Sequence, residues 1–185
     1  LGGPSVFPYH PKGLWLELNN RPGYSRTYKQ GTGNDLYRRS LYTYWKRTVP
    51  PPSMATFDAP EREFCLVRRS RTNTPLQAFV LLNDPQFIEA ARSLASRMMT
   101  AKTAKARIAL GFRLATSRLP TQKESGILHH LFDQRLEFYK QHPESARALL
   151  SIGESPRANH PETEHAAWTI VARALLNLNE TITKN

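Results

Sequence analysis

From Thr74 onward, apolar residues recur at three- and four-residue spacing, the pattern of successive amphipathic helices. Thr74-Pro75-Leu76-Gln77 predicts a helix start, with Thr74 as N-cap, Pro75 at the first helical position and Gln77 reaching back as in a capping box. That helix carries Leu76, Phe79, Val80 and Leu82 and is interrupted at Asn83-Asp84-Pro85. Asp84 and Pro85 open a second helix whose stripe runs through Phe87, Ile88, Ala91, Leu94, Ala95 and Met98. A third runs from Lys102 to Arg118 through Ile108, Phe112 and Ala115. Thr121-x-x-Glu124 after Pro120 is a second capping box, opening a helix with Ile127, Leu128, Leu131, Phe132, Leu136 and Tyr139. Pro143 starts a short helix that stops at Gly153. The last, from about Glu162, carries Ala166, Ile170, Ala174 and Leu178, widened by Trp168, Val171 and Leu175. Short polar connections imply that neighbours pack together. The expected fold class is mainly α, a helical bundle-like domain of about five to six helices.

The first 34 residues sustain neither period. They are rich in Gly, Pro, Asn and Tyr and predict an extended, irregular segment with turns, anchored by Trp15 with Leu14 and Leu16. Residues 35–73 form an aromatic and basic segment with a proline connector. Within it, Leu41, Tyr42, Tyr44 and Trp45 fit one side of a short helix, while the aromatic content equally fits a short β element. Pro50-Pro51-Pro52 ends any regular element there. The expected division is therefore 1–34, 35–73 and a helical domain over 74–185, together one structural unit.

Charge changes this picture more than composition does. The net charge is +11, of which residues 1–74 carry +7 and the remainder +4, so the excess sits in the less regular half and favours an anionic partner. An acidic missing part of a longer protein would account for the same excess. The chain opens on Leu-Gly-Gly-Pro rather than Met and is read as a piece of something longer, so the lack of a signal peptide says nothing about compartment. No window approaches the roughly 18 apolar residues of a spanning helix. The single Cys65 excludes an intrachain disulfide, a cysteine-rich zinc site and covalent haem attachment through paired cysteines. Flanked by Phe64, Leu66 and Val67, it reads as a small buried hydrophobe.

Phosphate-loop, dinucleotide-binding, zinc-protease, serine-hydrolase and calcium-loop spellings are all missing from the sequence. His129 and His130 are adjacent on a helix and point apart, and His160 with His165 reads as an acid-rich helix start, so no metal site is expected. The densest candidate region is Tyr37–Ala78. There Arg38, Arg39, Lys46, Arg47, Arg68, Arg69 and Arg71 accompany Tyr37, Tyr42, Tyr44 and Trp45. Guanidinium forks suit carboxylate, sulfate or phosphate, and aromatic faces suit sugars or bases. Arg69, Arg71 and Asn73 precede a helix N-terminus, where an anion is favoured. Asp58, in the Pro-bounded loop Phe57-Asp58-Ala59-Pro60, is the weak catalytic candidate, as base, ligand or salt-bridge partner. Three readings stand open for these residues: a scaffold holding irregular backbone, a site for an anionic glycan or partner, and catalysis. Charge alone would admit nucleic acid, but no recognition motif accompanies it.

The runs RRSLYTYWKRTVPPPSMATFDAPERE, CLVRRSRTNTPLQAFVLLNDPQF and AAWTIVARALLNLNETITKN, with GGPSVFPYHPKGLW at the start, carry a family resemblance over nearly the whole chain. It resembles the C-terminal domain of unknown function in the large secreted, cytochrome c-like proteins of planctomycetes and related bacteria. The resemblance implies an exported, extracytoplasmic protein with haem in a separate N-terminal segment and no cofactor in this chain. It implies sister domains as partners and a setting of polysaccharide degradation, often of sulfated glycans, with no nucleic acid. It transfers no catalytic residue. Expected from it is an accessory domain that packs on its sister domains and binds an anionic polysaccharide. The alternative is the catalytic domain of an oxidoreductase or glycan-degrading enzyme using Asp58 and nearby arginines.

Overall fold

The computed structural model describes residues 2–18, 27–61, 63–68, 70 and 72–183. It divides into two compact units, Leu1–Gln77 and Ala78–Asn185, and the division falls inside a helix, α3.

Among the described residues of the first unit there are only short elements: helix α1 (Leu14–Leu18), two 3-10 turns (Gly33–Tyr37 and Ser40–Tyr42) and helix α2 (Pro52–Thr56). The short β element reduces to two isolated bridges, Val6 with Thr43 and Lys46 with Val49. The first is a two-way exchange: Val6 N–H donates to the Tyr42 carbonyl at 2.8 Å, and Tyr44 N–H donates back to Val6 at 2.9 Å. Val6, Trp15, Leu36 and Val49 are buried. Rings supply the remaining packing, with Phe7 stacked on Tyr44 at 4.9 Å and edge-on to Tyr28 at 5.6 Å. A segment without a period thus acquires a core from aromatic contacts between residues far apart in sequence.

Helix α3 (Pro75–Asn83) begins as the sequence specifies: Gln77 N–H donates to Thr74 Oγ1 at 3.3 Å, and Thr74 N–H donates to Gln77 Oε1 at 3.2 Å. The second unit continues with α4 (Pro85–Met98), α5 (Ala104–Thr116), α6 (Gln122–Gln141), α7 (Pro143–Leu150), α8 (Glu162–Leu176) and the single turn α9 (Asn179–Ile182). Asp84 accepts from Gln86 N–H at 2.9 Å at the start of α4, and Thr121 with Glu124 forms the complete capping box of α6. Each device satisfies amide groups that a helix start leaves without partners. The fold is mainly α and bundle-like.

Helix α8 is the axis of this unit and packs against α4, α6 and α7. Its residues His165, Ala166, Ala167, Trp168 and Thr169 are all buried in succession, as a helix covered on every side requires. Trp168 stacks on Phe132 of α6 at 4.1 Å. Small residues allow the close approach: a Cβ on Gly111 of α5 would lie 2.7 Å from Met98 Sδ and 2.8 Å from Leu175 Cδ1.

His165 differs from the sequence reading, which placed it on a solvated helix start. It is 2 % exposed, with Nε2 3.0 Å from Ser96 Oγ and 3.2 Å from the Arg92 carbonyl. Burial, with the His160 and Arg92 charges added, holds its pKa below the ordinary histidine value, despite the opposing Arg92 carbonyl. A histidine neutral in the fold and more readily protonated when unfolded makes the unfolded state the greater proton binder. Stability from this group is therefore complete above the unfolded value of about 6.5 and declines as pH falls below it, by at most about 1.4 kcal/mol per pH unit. Urea titrations between pH 7 and pH 5 should show that decline, and His165→Gln should flatten it. An equal decline in that variant would assign it to other groups, His10 among them, whose pKa burial also lowers.

Candidate functional site

The sequence candidates divide among separate local networks in the first unit. Arg38 is fully employed: its guanidinium donates to the carbonyls of Pro4 and Gly2, each at 2.9 Å, and lies 3.7 Å over the Tyr42 ring. It ties the N-terminal segment to the 3-10 turn at Ser40–Tyr42. Arg47 pairs with Glu63 through two bonds of 2.7 and 2.6 Å. Arg39 and Arg68 are exposed, as is Asn73, and Trp45 is half-buried. Arg69 and Arg71 lie outside the described residues.

Asp58 sits at a left-handed backbone position, φ 56°. Its Oδ2 accepts from both the amide and the hydroxyl of Thr72, each at 2.8 Å. The same Thr72 hydroxyl accepts from Gln77 Nε2 at 2.8 Å, and Gln77 also donates to the Thr56 carbonyl at 2.9 Å. Gln77 is buried, so each bond replaces water that its amide has lost. The network joins the turn after α2 to the start of α3. That is the work of a lock on irregular backbone, drawn from an aspartate tolerant of positive φ.

Cys65 corrects its sequence reading. The thiol is exposed rather than buried, and so are Phe64 at 78 %, Leu66 and Val67. On α3, Leu76 and Phe79 are exposed too, three residues apart and hence on one helix face. Apolar side chains grouped in this way on a surface mark an interaction face more often than ones scattered singly.

A pocket of the first unit lies where the sequence offered no motif. His10, Lys12, Trp15, Thr27, Tyr28 and Gln30 border a cavity of about 320 Å³. Three rings meet there: His10 is edge-on to Tyr28 at 4.4 Å and to Trp15 at 6.2 Å, and Trp15 to Tyr28 at 5.1 Å. Tyr28 donates its hydroxyl to the Pro8 carbonyl, and burial raises its pKa to about 12. The Lys46 ammonium stands 4.3 Å over the Trp15 ring. Both His10 nitrogens and Trp15 Nε1 are buried without a hydrogen-bond partner. Burial lowers the His10 pKa and favours the neutral imidazole, and these three nitrogens have almost no surface open to the cavity. Sequence reasoning took Trp15 as an anchor only, and neither His10 nor Tyr28 lies on a periodic face that would have marked it.

Among the described residues no group of three His, Cys, Asp or Glu side chains could hold a metal ion, and no helix is long and apolar enough to cross a membrane. The molecule is thus a mainly helical domain joined to an irregular basic unit with an aromatic-walled pocket. The chain belongs to the family described as Protein of unknown function (DUF1553), which matches residues 1–132, the irregular unit and the helices up to the middle of α6. No curated protein and no solved structure matches it.

Proposed function

We propose that this chain is an accessory, non-catalytic domain of a larger exported protein that holds an anionic polysaccharide by seating one sugar ring in the His10–Trp15–Tyr28 pocket. The pocket carries the reading. Its volume suits a small ligand, and its aromatic rings suit the weakly positive C–H faces of a pyranose. Exposed Lys12 on the border of the pocket, within a chain of net charge +11, supplies the attraction for acidic substituents. The employment of Asp58 by Thr72 supports an accessory rather than a catalytic role. The resemblance to cytochrome c-like proteins of planctomycetes supports an extracytoplasmic setting, with haem on another segment of the same polypeptide.

Packing on sister domains is a second role, favoured by the exposed Phe64, Leu66 and Val67 and by the exposed Leu76 and Phe79. It uses side chains other than those of the pocket, so one molecule can do both.

Calorimetry with a sulfated dextran oligosaccharide and its unsulfated counterpart tests the glycan reading. The sulfated form should bind more tightly and lose affinity as salt rises. His10→Ala should weaken both by about fivefold, because it removes one aromatic wall of the site. Affinities in His10→Ala equal to those of the unaltered chain would reject the pocket.

A further inference from the structure

The helical unit holds a second cavity, of about 390 Å³, bordered by Leu82 at the end of α3, Leu131, Arg135 and Tyr139 of α6, and Ile170 and Arg173 of α8. Its electrostatics are one-sided. Arg173 donates one Nη to the Leu82 carbonyl, while its Nε–H is buried and has no partner. Burial lowers the Arg173 pKa, the Arg135 charge lowers it further, and only the Tyr139 phenol opposes them. Tyr139 answers in kind: burial raises its pKa, and the charges of Arg135 and Arg173 pull it back.

The nearby carboxylates of α6 are engaged elsewhere. Asp133 faces His129 at 3.0 Å, and Glu137 lies 3.9 Å from Lys140 and accepts from Gln141 at 3.0 Å. Two guanidiniums therefore share a cavity without an acidic residue among its walls. Like charges beside apolar walls cost energy that a bound anion would return. The side chains of Leu82, Leu131, Ile170 and Ala174 supply hydrocarbon to the remaining walls.

We infer that this cavity binds a small amphiphilic acid, its carboxylate held by Arg135 and Arg173 and its short aliphatic part laid against Leu82, Leu131 and Ile170. The guanidinium fork of exposed Arg135 matches a carboxylate, and Arg173 on the same cavity adds a second positive charge. The site lies within the second unit, uses none of the residues of the sugar pocket, and stands or falls independently of it.

Calorimetry and thermal melting of the 185-residue chain with hexanoate and with acetate, at matched ionic strength in chloride, provide the test. Hexanoate should bind saturably and raise the melting temperature, and acetate should bind at least about tenfold more weakly because it buries less hydrocarbon. Arg135 is exposed, so Arg135→Gln should keep the fold while losing at least about fivefold in hexanoate affinity. Arg113→Gln, an exposed change on α5 away from the cavity walls, should bind as the unaltered chain does. No saturable hexanoate binding, equal binding of the two acids, or full binding in Arg135→Gln would each overturn the proposal.

Discussion

Arg92→Ala is expected to lower the free energy of unfolding by about 3–5 kcal/mol, the range for breaking a buried, hydrogen-bonded ion pair by removing one partner. Arg92 lies on α4 and is 3 % exposed. One Nη donates to the carbonyls of Leu150 and Ile152, the second at 3.0 Å. The other donates to the Ser155 carbonyl at 2.9 Å and to its hydroxyl. Glu89, equally buried, lies 3.7 Å away and accepts from Ser155 N–H at 2.6 Å. A single guanidinium thus replaces the regular structure that residues 151–155 lack. Removing it leaves three carbonyls and a carboxylate in a dry corner. Denaturant unfolding of Arg92→Ala, Glu89→Gln and the double variant should show a double-variant loss well below the sum of the single losses. A loss under about 1 kcal/mol for Arg92→Ala would mean that water enters the corner freely and that the network contributes little.

Gly153→Ala should cost more than about 3 kcal/mol, far beyond an ordinary loop substitution. Two penalties combine. The backbone is at φ 83°, which disfavours any side chain. A Cβ there would also overlap the Glu89 carboxyl carbon, and Glu89 cannot swing aside without leaving Ser155 N–H and Arg92. The clash is with the centre of a pinned carboxylate, not with the end of a mobile chain. Thermal melting would check it. A variant within about 0.5 kcal/mol of the parent would show that the loop shifts at little cost.

Gly153 also shows what could be read along the chain and what could not. Its presence at the end of α7 was legible as a helix terminator. The helix in fact stops at Leu150, and the glycine is required three residues later because Glu89 of another helix lies beneath it. The helices themselves were legible because Thr74, Asp84 and Thr121 cap their own neighbours and the stripes are local. Glu89 and Arg92 were not, since a charged pair at i, i+3 reads as a solvated face until a distant loop covers it. Cys65 was misread for the converse reason: the run Phe-Cys-Leu-Val looks like core, but among the described residues it is exposed. The His10–Trp15–Tyr28 pocket depends on residues up to 18 positions apart with no shared period, which only the folded chain brings together. Of the proposed anion-binding group, Arg38 serves the backbone while Arg39 and Arg68 stay on the surface.

The exposed loop at Phe64–Val67 has a chemical consequence as well as a packing one. Its apolar side chains favour contact with another surface, and the thiol of Cys65 stands among them. In an oxidising medium, two copies that meet there can be sewn together by an intermolecular disulfide. A dimer of this chain that disappears on adding dithiothreitol would therefore owe its persistence to sulfur chemistry, whereas one that survives the reductant would reflect noncovalent association.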